Sequence, residues 1–475
     1  MGAGMSEYTA IVMGGGPAGH SAAVRISELG GKVALVERDF IGGICTNWGC
    51  TPSKAMIESA KVAKTVAESG HYGIEVQNVK VDFPAIADRR NQVILNTRNF
   101  VTDLLQHYHV DIYQGEGEIV APGKMRVRKG KLDPDGKTMH YDGGEVELSA
   151  DHIIISTGSQ PLIPGFIDAS DPSVVSSNRL ISINELPKSL TIIGGGVIGL
   201  EFATIFSSLG SKVTIVEFLD RVLAQMDEDV SKEITRILEG RGVRILTAHK
   251  CVSLKNGVIE AEDVRSGKMV KIDAPMTLVA IGRQAVVHDE TYQKLGLKYS
   301  RKGVEVDDYQ RTNVPGIWAV GDATGRSILA HVGIQQGVIA AENIMAKSDA
   351  ELRKMDYSVI PAVIYTLPEI VSVGMVPQDL EGIRVVKVPF AINLRAGIED
   401  YKDGFIKMWL KDNRILAAQA IGQNVSEIMQ EVANMIALKT DIREVSEIIH
   451  AHPTFAEIIH STLDYALDKA VDFYI

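Results

Sequence analysis

Two of the chain's three cysteines stand five residues apart in Gly42-Gly43-Ile44-Cys45-Thr46-Asn47-Trp48-Gly49-Cys50-Thr51-Pro52-Ser53-Lys54. A pair this close in a reducing compartment points to redox chemistry or metal binding before a structural bridge. Metal ligation would need further soft ligands, and Cys251 stands alone far along the chain. A redox disulfide is therefore the better reading. In a straight helix, residues five apart have Cα atoms more than about 8 Å apart. A disulfide requires roughly 4.4–6.8 Å. Bridging Cys45 and Cys50 calls for a tight loop or a distorted turn, and Gly42, Gly43 and Gly49 supply the freedom. The helix is expected to become regular near Pro52, a residue suited to a first turn. A second cluster, His450-Ala451-His452-Pro453-Thr454-Phe455-Ala456-Glu457, sets two histidines two apart. No third metal ligand accompanies them, so no metal site is expected.

The elements that would position such groups are legible from an internal repeat. GGGPAGHSAAVRISELGGKVALVE begins at Gly14 and GGGVIGLEFATIFSSLGSKVTIVE at Gly194, with 12 of 24 positions identical. Each copy follows a short apolar run, continues with helical periodicity to a Leu-Gly stop, and ends in a second apolar strand. The order strand, Gly-rich turn, helix, strand makes this the dinucleotide fingerprint. Gly14 and Gly194 permit the tight turn, and Gly16 and Gly196 let the backbone approach a pyrophosphate. Gly19 and Gly199 let helix and strand pack closely. Free N–H groups at the helix start favour the negative charge. Glu37 and Glu217, each 18 residues past its third glycine, are placed to accept from ribose hydroxyls. Two such units imply two dinucleotides, or one held twice by a larger sheet. A carboxylate at Glu217 accepts from a 2′-OH and repels a 2′-phosphate, which favours NAD over NADP.

Composition removes other classes. The net charge of −11 argues against a nucleic-acid binder. Three cysteines in 475 residues exclude a secreted disulfide scaffold. No run is long and apolar enough for a membrane span, and no secretory signal is evident. A cytoplasmic protein is the default. Met1-Gly2-Ala3-Gly4-Met5-Ser6 formally fits an N-myristoylation pattern but reads more plainly as a leader or tag.

With the cysteine motif, GGxCxNxGCxPSK, matched at every specified position, the sequence resembles the flavoprotein pyridine nucleotide-disulfide oxidoreductases over nearly its whole length. The branch that oxidises dihydrolipoamide is the most similar. The resemblance implies an α/β fold: two Rossmann-like dinucleotide-binding domains, for FAD and NAD, and a C-terminal α+β dimerisation domain. It places the first part of the FAD domain at 1–158, the NAD domain at 159–282, a completing FAD segment at 283–355 and the interface domain at 356–475. It makes Cys50 the thiol nearest the flavin and Cys45 the one exchanging with substrate, with Lys54 beside the flavin and paired with Glu201. Ile155-Ser156-Thr157-Gly158-Ser159 and Leu278-Val279-Ala280-Ile281-Gly282-Arg283 are similar to the family's crossovers between domains. The string from Thr312 to Asp322 is similar to its second flavin motif, and His331 would lie beside the isoalloxazine. His452 would be the acid–base, oriented by Glu457, and His452-Pro453 a candidate cis bond. His452 of one subunit would serve the disulfide of the other in a homodimer. The implied partner is a lipoyl-bearing protein of a 2-oxo acid dehydrogenase, glycine cleavage or similar system.

Several positions depart from the family's usual pattern: His20, Trp48, Thr51, Gln284-Ala285-Val286 and Leu367. Trp48, between the cysteines, is expected to narrow the dithiol channel. A glutathione-type or mercuric-type reductase is the enzymatic alternative, and a flavoprotein scaffold the non-catalytic one. The first would favour NADP-site arginines and usually a tyrosine at Val197; the second usually adds a C-terminal cysteine pair, whereas this sequence reads Val471-Asp472-Phe473-Tyr474-Ile475. The intact Cys45, Cys50, His452 and Glu457 argue against a scaffold, which has no use for a thiol base. The Glu217 argument has a direct test: in steady-state assays NADH should be used better than NADPH, and the opposite preference would refute it.

Overall fold

The computed structural model describes residues 6–133 and 138–471. Most of the Met1–Ser6 leader pattern and all but the first residue of the Val471–Ile475 end lie outside the described residues. Three sheets organise the chain. In the first, parallel strand Tyr8–Met13 lies between Val33–Glu37 and the end of the long strand Met139–Ile155. Strand Asp111–Ala121 flanks Val33–Glu37, and Ile317–Ala319 pairs with Ile153–Ile155 from much later in the chain. Buried on both faces, these strands read as near-continuous apolar runs; Ile11, Val12, Leu35, Ile153 and Ile154 are fully buried.

The second sheet is parallel throughout. Its order is Arg244–Leu246, Lys212–Val216, Ser189–Ile193, Thr277–Val279 and Val174–Val175. The sequence repeat becomes a structural one: helices Pro17–Glu28 and Val197–Ser208 have 12 residues each. The short strands Ser159–Pro161 and Arg283–Ala285 pair antiparallel where the chain passes between the two sheets.

The third sheet is antiparallel, in the order Ala362–Ile364, Glu369–Gly374, Arg414–Gly422, Phe405–Lys411 and Arg384–Pro389. Helices Val425–Leu438 and Glu457–Ala466 cover it. On the first helix Val432 and Met435 are buried, and Ile428 and Ile436 pack partly buried against the same core. Along the second helix runs an apolar stripe in which Phe455, Ile458, Ile459 and Leu463 are buried. Phe455 precedes the helix and Leu467 caps it, so the stripe runs past the helix at both ends.

At both Gly-rich turns the first glycine needs a left-handed φ, +111° at Gly14 and +109° at Gly194. The third glycine meets backbone. A Cβ on Gly19 would lie 1.9 Å from the Gly14 carbonyl oxygen, and one on Gly199 would lie 2.0 Å from that of Gly194. Neither carbonyl can retreat, because each belongs to the turn itself. Gly19→Ala should therefore destabilise the protein by about 3 kcal/mol. A thermal or urea midpoint unchanged from wild type would contradict that.

Candidate active site

The Gly14 turn opens onto a cavity of about 530 Å³ lined by residues from all three sheets' domains. Gly14, Gly16 and Glu37 form one end, with Thr157 and Gly158 from the crossover beside them. Cys45, Cys50 and Lys54 line it from the helices after the first repeat, Glu201 from the second repeat's helix, and Asp322, His331 and Arg283 from later segments.

Gly16 caps the helix Pro17–Glu28 without a side-chain hydrogen bond, leaving the first-turn N–H groups unsatisfied by side chains. A Cβ there would meet nothing nearer than Gly43 Cα at 3.8 Å. The turn therefore has open space beside Gly16, into which any side chain there would project. Glu37 is buried, and its carboxylate accepts from the N–H groups of Gly15 and Asp39, each at 2.7 Å. Burial raises its pKa, against the pull of those two donors. The acid thus braces the glycine turn as well as facing the cavity. Glu217 repeats the arrangement, accepting from Gly195 N–H at 2.5 Å and Leu219 N–H at 2.7 Å. Gly194, Gly196, Gly199 and Glu217 do not line the cavity. They form a second cradle, where a Cβ on Gly196 would meet nothing within 4 Å.

Cys45 and Cys50 form a disulfide with Cα atoms 4.7 Å apart. The backbone solves the spacing problem by breaking: one helix spans Gly43–Trp48, Gly49 takes φ −127° and ψ −112°, and a new helix spans Cys50–Ala67. The regular helix begins at Cys50, two residues before the expected Pro52, because the break falls wholly at Gly49. Asn47 holds the first helix in place; its amide donates to the carbonyls of Ile41 and Gly43, and its Oδ1 accepts from Arg98. The Arg98 guanidinium lies 3.3 Å from the Phe40 ring centroid, and Phe40 faces Trp48 at 6.5 Å. Trp48 lines the cavity wall beside both cysteines.

Lys54 Nζ lies 3.2 and 3.3 Å from the two oxygens of Glu201. Asp322 is nearly buried; its carboxylate accepts from Ser159 Oγ at 2.5 Å, and burial raises its pKa. Arg283 reaches the same group, donating to Ser159 Oγ and Ser159 O at 2.8 Å each. Arg283, which follows the second sheet in sequence, thus belongs by contact to the Asp322 cluster of the first. Gly282 lies outside the cavity, with φ +137°. Ser159 was not singled out by sequence reasoning as a site residue; a lone serine after Thr-Gly carries no signal until Asp322 and Arg283 meet it.

His452 Nδ1 lies 2.8 Å from Glu457 Oε1, and Glu457 Oε2 accepts from Thr454 N–H at 2.6 Å. Burial opposes the charge on Glu457, but these two donors outweigh it and hold the carboxyl below its ordinary range. The carboxylate then keeps a proton on Nδ1 and leaves Nε2 free for exchange. The His452-Pro453 bond is cis, as is Leu367-Pro368. His452 is exposed and does not line the cavity of its own chain. His450 turns to Glu431 instead, and no cluster of metal ligands occurs among the described residues. No described helix is long and apolar enough to cross a membrane.

The fold and this cavity define a class, and sequence comparison names it. Residues 8–337 match the pyridine nucleotide-disulphide oxidoreductase family, and 360–463 match that family's dimerisation domain. The chain belongs to this family, whose members use FAD and NAD(H), and it is an oxidoreductase. The dimerisation domain supports a homodimer. Dihydrolipoyl dehydrogenase of Chlamydia pneumoniae is 35% identical over 460 residues, covering 95% of each chain. That of Geobacillus stearothermophilus is 34% identical, covering 98% of this chain and 97% of its own. Among solved structures, the HOCl-induced flavoprotein disulfide reductase RclA of Escherichia coli superposes with a TM-score of 0.84 at 26% identity, over 97% of this chain and 100% of that one. LpdA of Mycobacterium tuberculosis gives 0.84 at 25% identity, over 96% and 99%.

Cys251 is buried away from the cavity, and burial pushes its thiol pKa up to about 11. A raised pKa means the thiol stays protonated at neutral pH. At pH 8 an alkylating reagent should label Cys45 and Cys50 only after dithiol reduction, and leave Cys251 unlabelled until the protein is denatured. Peptide mass mapping that finds Cys251 labelled in native protein would contradict this.

Proposed function

We propose that this chain is a FAD-dependent dihydrolipoyl dehydrogenase that oxidises a protein-bound dihydrolipoyl dithiol and reduces NAD+. The observation that carries the reading is the Cys45–Cys50 disulfide opening onto the same cavity as the Gly16 cradle and the Lys54–Glu201 pair. The cavity suits FAD: Gly16 leaves room for a pyrophosphate, Glu37 and Asp322 offer carboxylates, and Thr157, Gly158, Arg283 and His331 complete the wall. When bound, FAD supplies two-electron transfer between a dithiol and a nicotinamide. NAD is assigned to the second cradle, at Gly194, Gly196, Gly199 and Glu217, with Gly282 at its end. By this reading residues 1–158 and 283–355 make the FAD-binding unit, 159–282 the NAD-binding unit and 356–475 the interface unit.

The chain's own chemistry is thiol–disulfide exchange. One substrate thiolate attacks Cys45 Sγ, the Cys45–Cys50 bond breaks, and Cys50 leaves as thiolate. The second substrate thiolate then attacks its own sulfur in that mixed disulfide and frees Cys45. The substrate leaves as a cyclic disulfide and the enzyme holds two thiols, so the electron pair has moved from substrate to protein. A substrate thiol is a weak nucleophile while protonated. His452 Nε2 accepts its proton, and Glu457 stabilises the imidazolium through Nδ1. Because His452 stands outside its own chain's cavity, the acid–base serves the disulfide of the second subunit. A lipoyl-bearing protein, such as that of a 2-oxo acid dehydrogenase or glycine cleavage system, is the partner, and the cytoplasm the setting. Such an enzyme has no role for nucleic acid.

Steady-state assays with dihydrolipoamide, glutathione disulfide and mercuric ion, each with both nicotinamides, test the substrate. Dihydrolipoamide with NAD+ should give the highest kcat/KM. Cys45→Ser should abolish lipoamide turnover while the FAD-loaded protein still oxidises NADH with an artificial acceptor. His452→Gln should lower lipoamide kcat by roughly 10²-fold or more. A lipoamide-silent wild type that takes up FAD would overturn the substrate assignment.

A further inference from the structure

Lys54 is a flexible four-carbon chain with about a third of its surface exposed. Such an ammonium is free to wander into water unless several groups hold it. Glu201 holds it through both oxygens, and Ser53 Oγ lies at 3.4 Å. A further side is taken by Tyr365, whose ring centroid lies 4.1 Å from Lys54 Nζ. Tyr365 also acts on the other half of the pair: its backbone N–H donates to Glu201 Oε1 at 3.0 Å. One residue therefore holds the cation through its ring and the anion through its backbone.

The position of Tyr365 is itself fixed. It follows strand Ala362–Ile364 of the C-terminal sheet, and its neighbours Ile364 and Thr366 are both buried. Thr366 Oγ1 donates to Pro368 O at 2.5 Å and ties the turn. The Tyr365 hydroxyl has no hydrogen bond among the described residues. Burial, then the nearby carboxylates of Glu369, Glu201 and Glu427, raise its pKa, so the ring stays neutral with its π face intact.

We propose that Tyr365, from the interface domain, is a positioning residue that fixes Lys54 against Glu201 in the cavity and so sets the charge felt by a bound flavin. The inference deepens the FAD reading of the cavity and rests on it. A fixed positive charge beside the group favours its more negatively charged, reduced form. Freeing Lys54 shifts that balance toward the oxidised form.

The test is the midpoint potential of the bound flavin in the FAD-loaded protein, measured anaerobically in a Cys45→Ser/Cys50→Ser background so that no disulfide couple contributes. Tyr365→Leu should shift the potential in the negative direction, as Lys54→Met does and by less. Tyr365→Phe, which keeps both ring and backbone N–H, should leave it at the background value. In a Lys54→Met background Tyr365→Leu should add no further shift. Tyr365→Met, similar in bulk but lacking a π face, repeats the test should Tyr365→Leu fail to load FAD. An unmoved potential in FAD-loaded Tyr365→Leu or Tyr365→Met, or a shift that persists without Lys54, overturns the role of Tyr365. Failure of both variants to load FAD overturns it too, by making the ring a structural element. Failure of the unsubstituted protein to take up FAD would instead refute the reading of the cavity.

Discussion

Glu201 is a carboxylate 8% exposed to solvent, and a charge so far out of water has to be paired where it stands. Its partners come from three parts of the chain. Lys54 lies on the helix after the redox turn, Glu201 on the helix of the second repeat, and Tyr365 beside a strand of the third sheet. That one carboxylate is therefore bonded from the other two units, at a junction that also shares an apolar core. The cavity beside it is lined from all three units. Lys54, the disulfide and the glycine cradle come from the first unit, and the junction adds Glu201 and Tyr365 to their wall.

Around this junction the same local device is used twice for different ends. Both repeats form a strand, a glycine turn and a 12-residue helix, and both acids brace their turns through two backbone N–H groups. The close approaches at Gly19 and Gly199 match to 0.1 Å. Yet only the first turn opens into the large cavity. The difference lies in the segment next along the chain. After the first repeat comes the broken helix carrying the disulfide; after the second comes a plain helix, Glu228–Gly240, with its Asp227 cap bound to Lys407 of the third sheet.

Much of this was legible in the sequence. The repeat predicted both turns and both helices, because a tight turn and a close helix–strand contact each demand glycine at a fixed spacing. The need for a break between Cys45 and Cys50 came from helix geometry. The site of the break did not, since Gly42, Gly43 and Gly49 were all able to provide it. His452 and Glu457 were identified by resemblance, and their contact at 2.8 Å reflects a five-residue spacing at a helix start. Arg283 was placed at the start of the completing FAD segment; that it reaches Asp322 by way of Ser159 was not legible there.

The sequence by itself determined what depends on neighbours along the chain: turn conformations, helix lengths, apolar strands, and the cysteine pair with its glycines. These are set by φ and ψ preferences and by hydrogen bonds within a few residues. Only the tertiary structure decided which distant groups share a cavity. Ser159 joins Asp322 and Arg283 across more than a hundred residues, and Tyr365 joins a lysine and a glutamate lying far earlier. No local pattern encodes such contacts, because they arise from desolvated charges finding partners as sheets pack. His452, bonded to Glu457, is exposed and does not line its own chain's cavity.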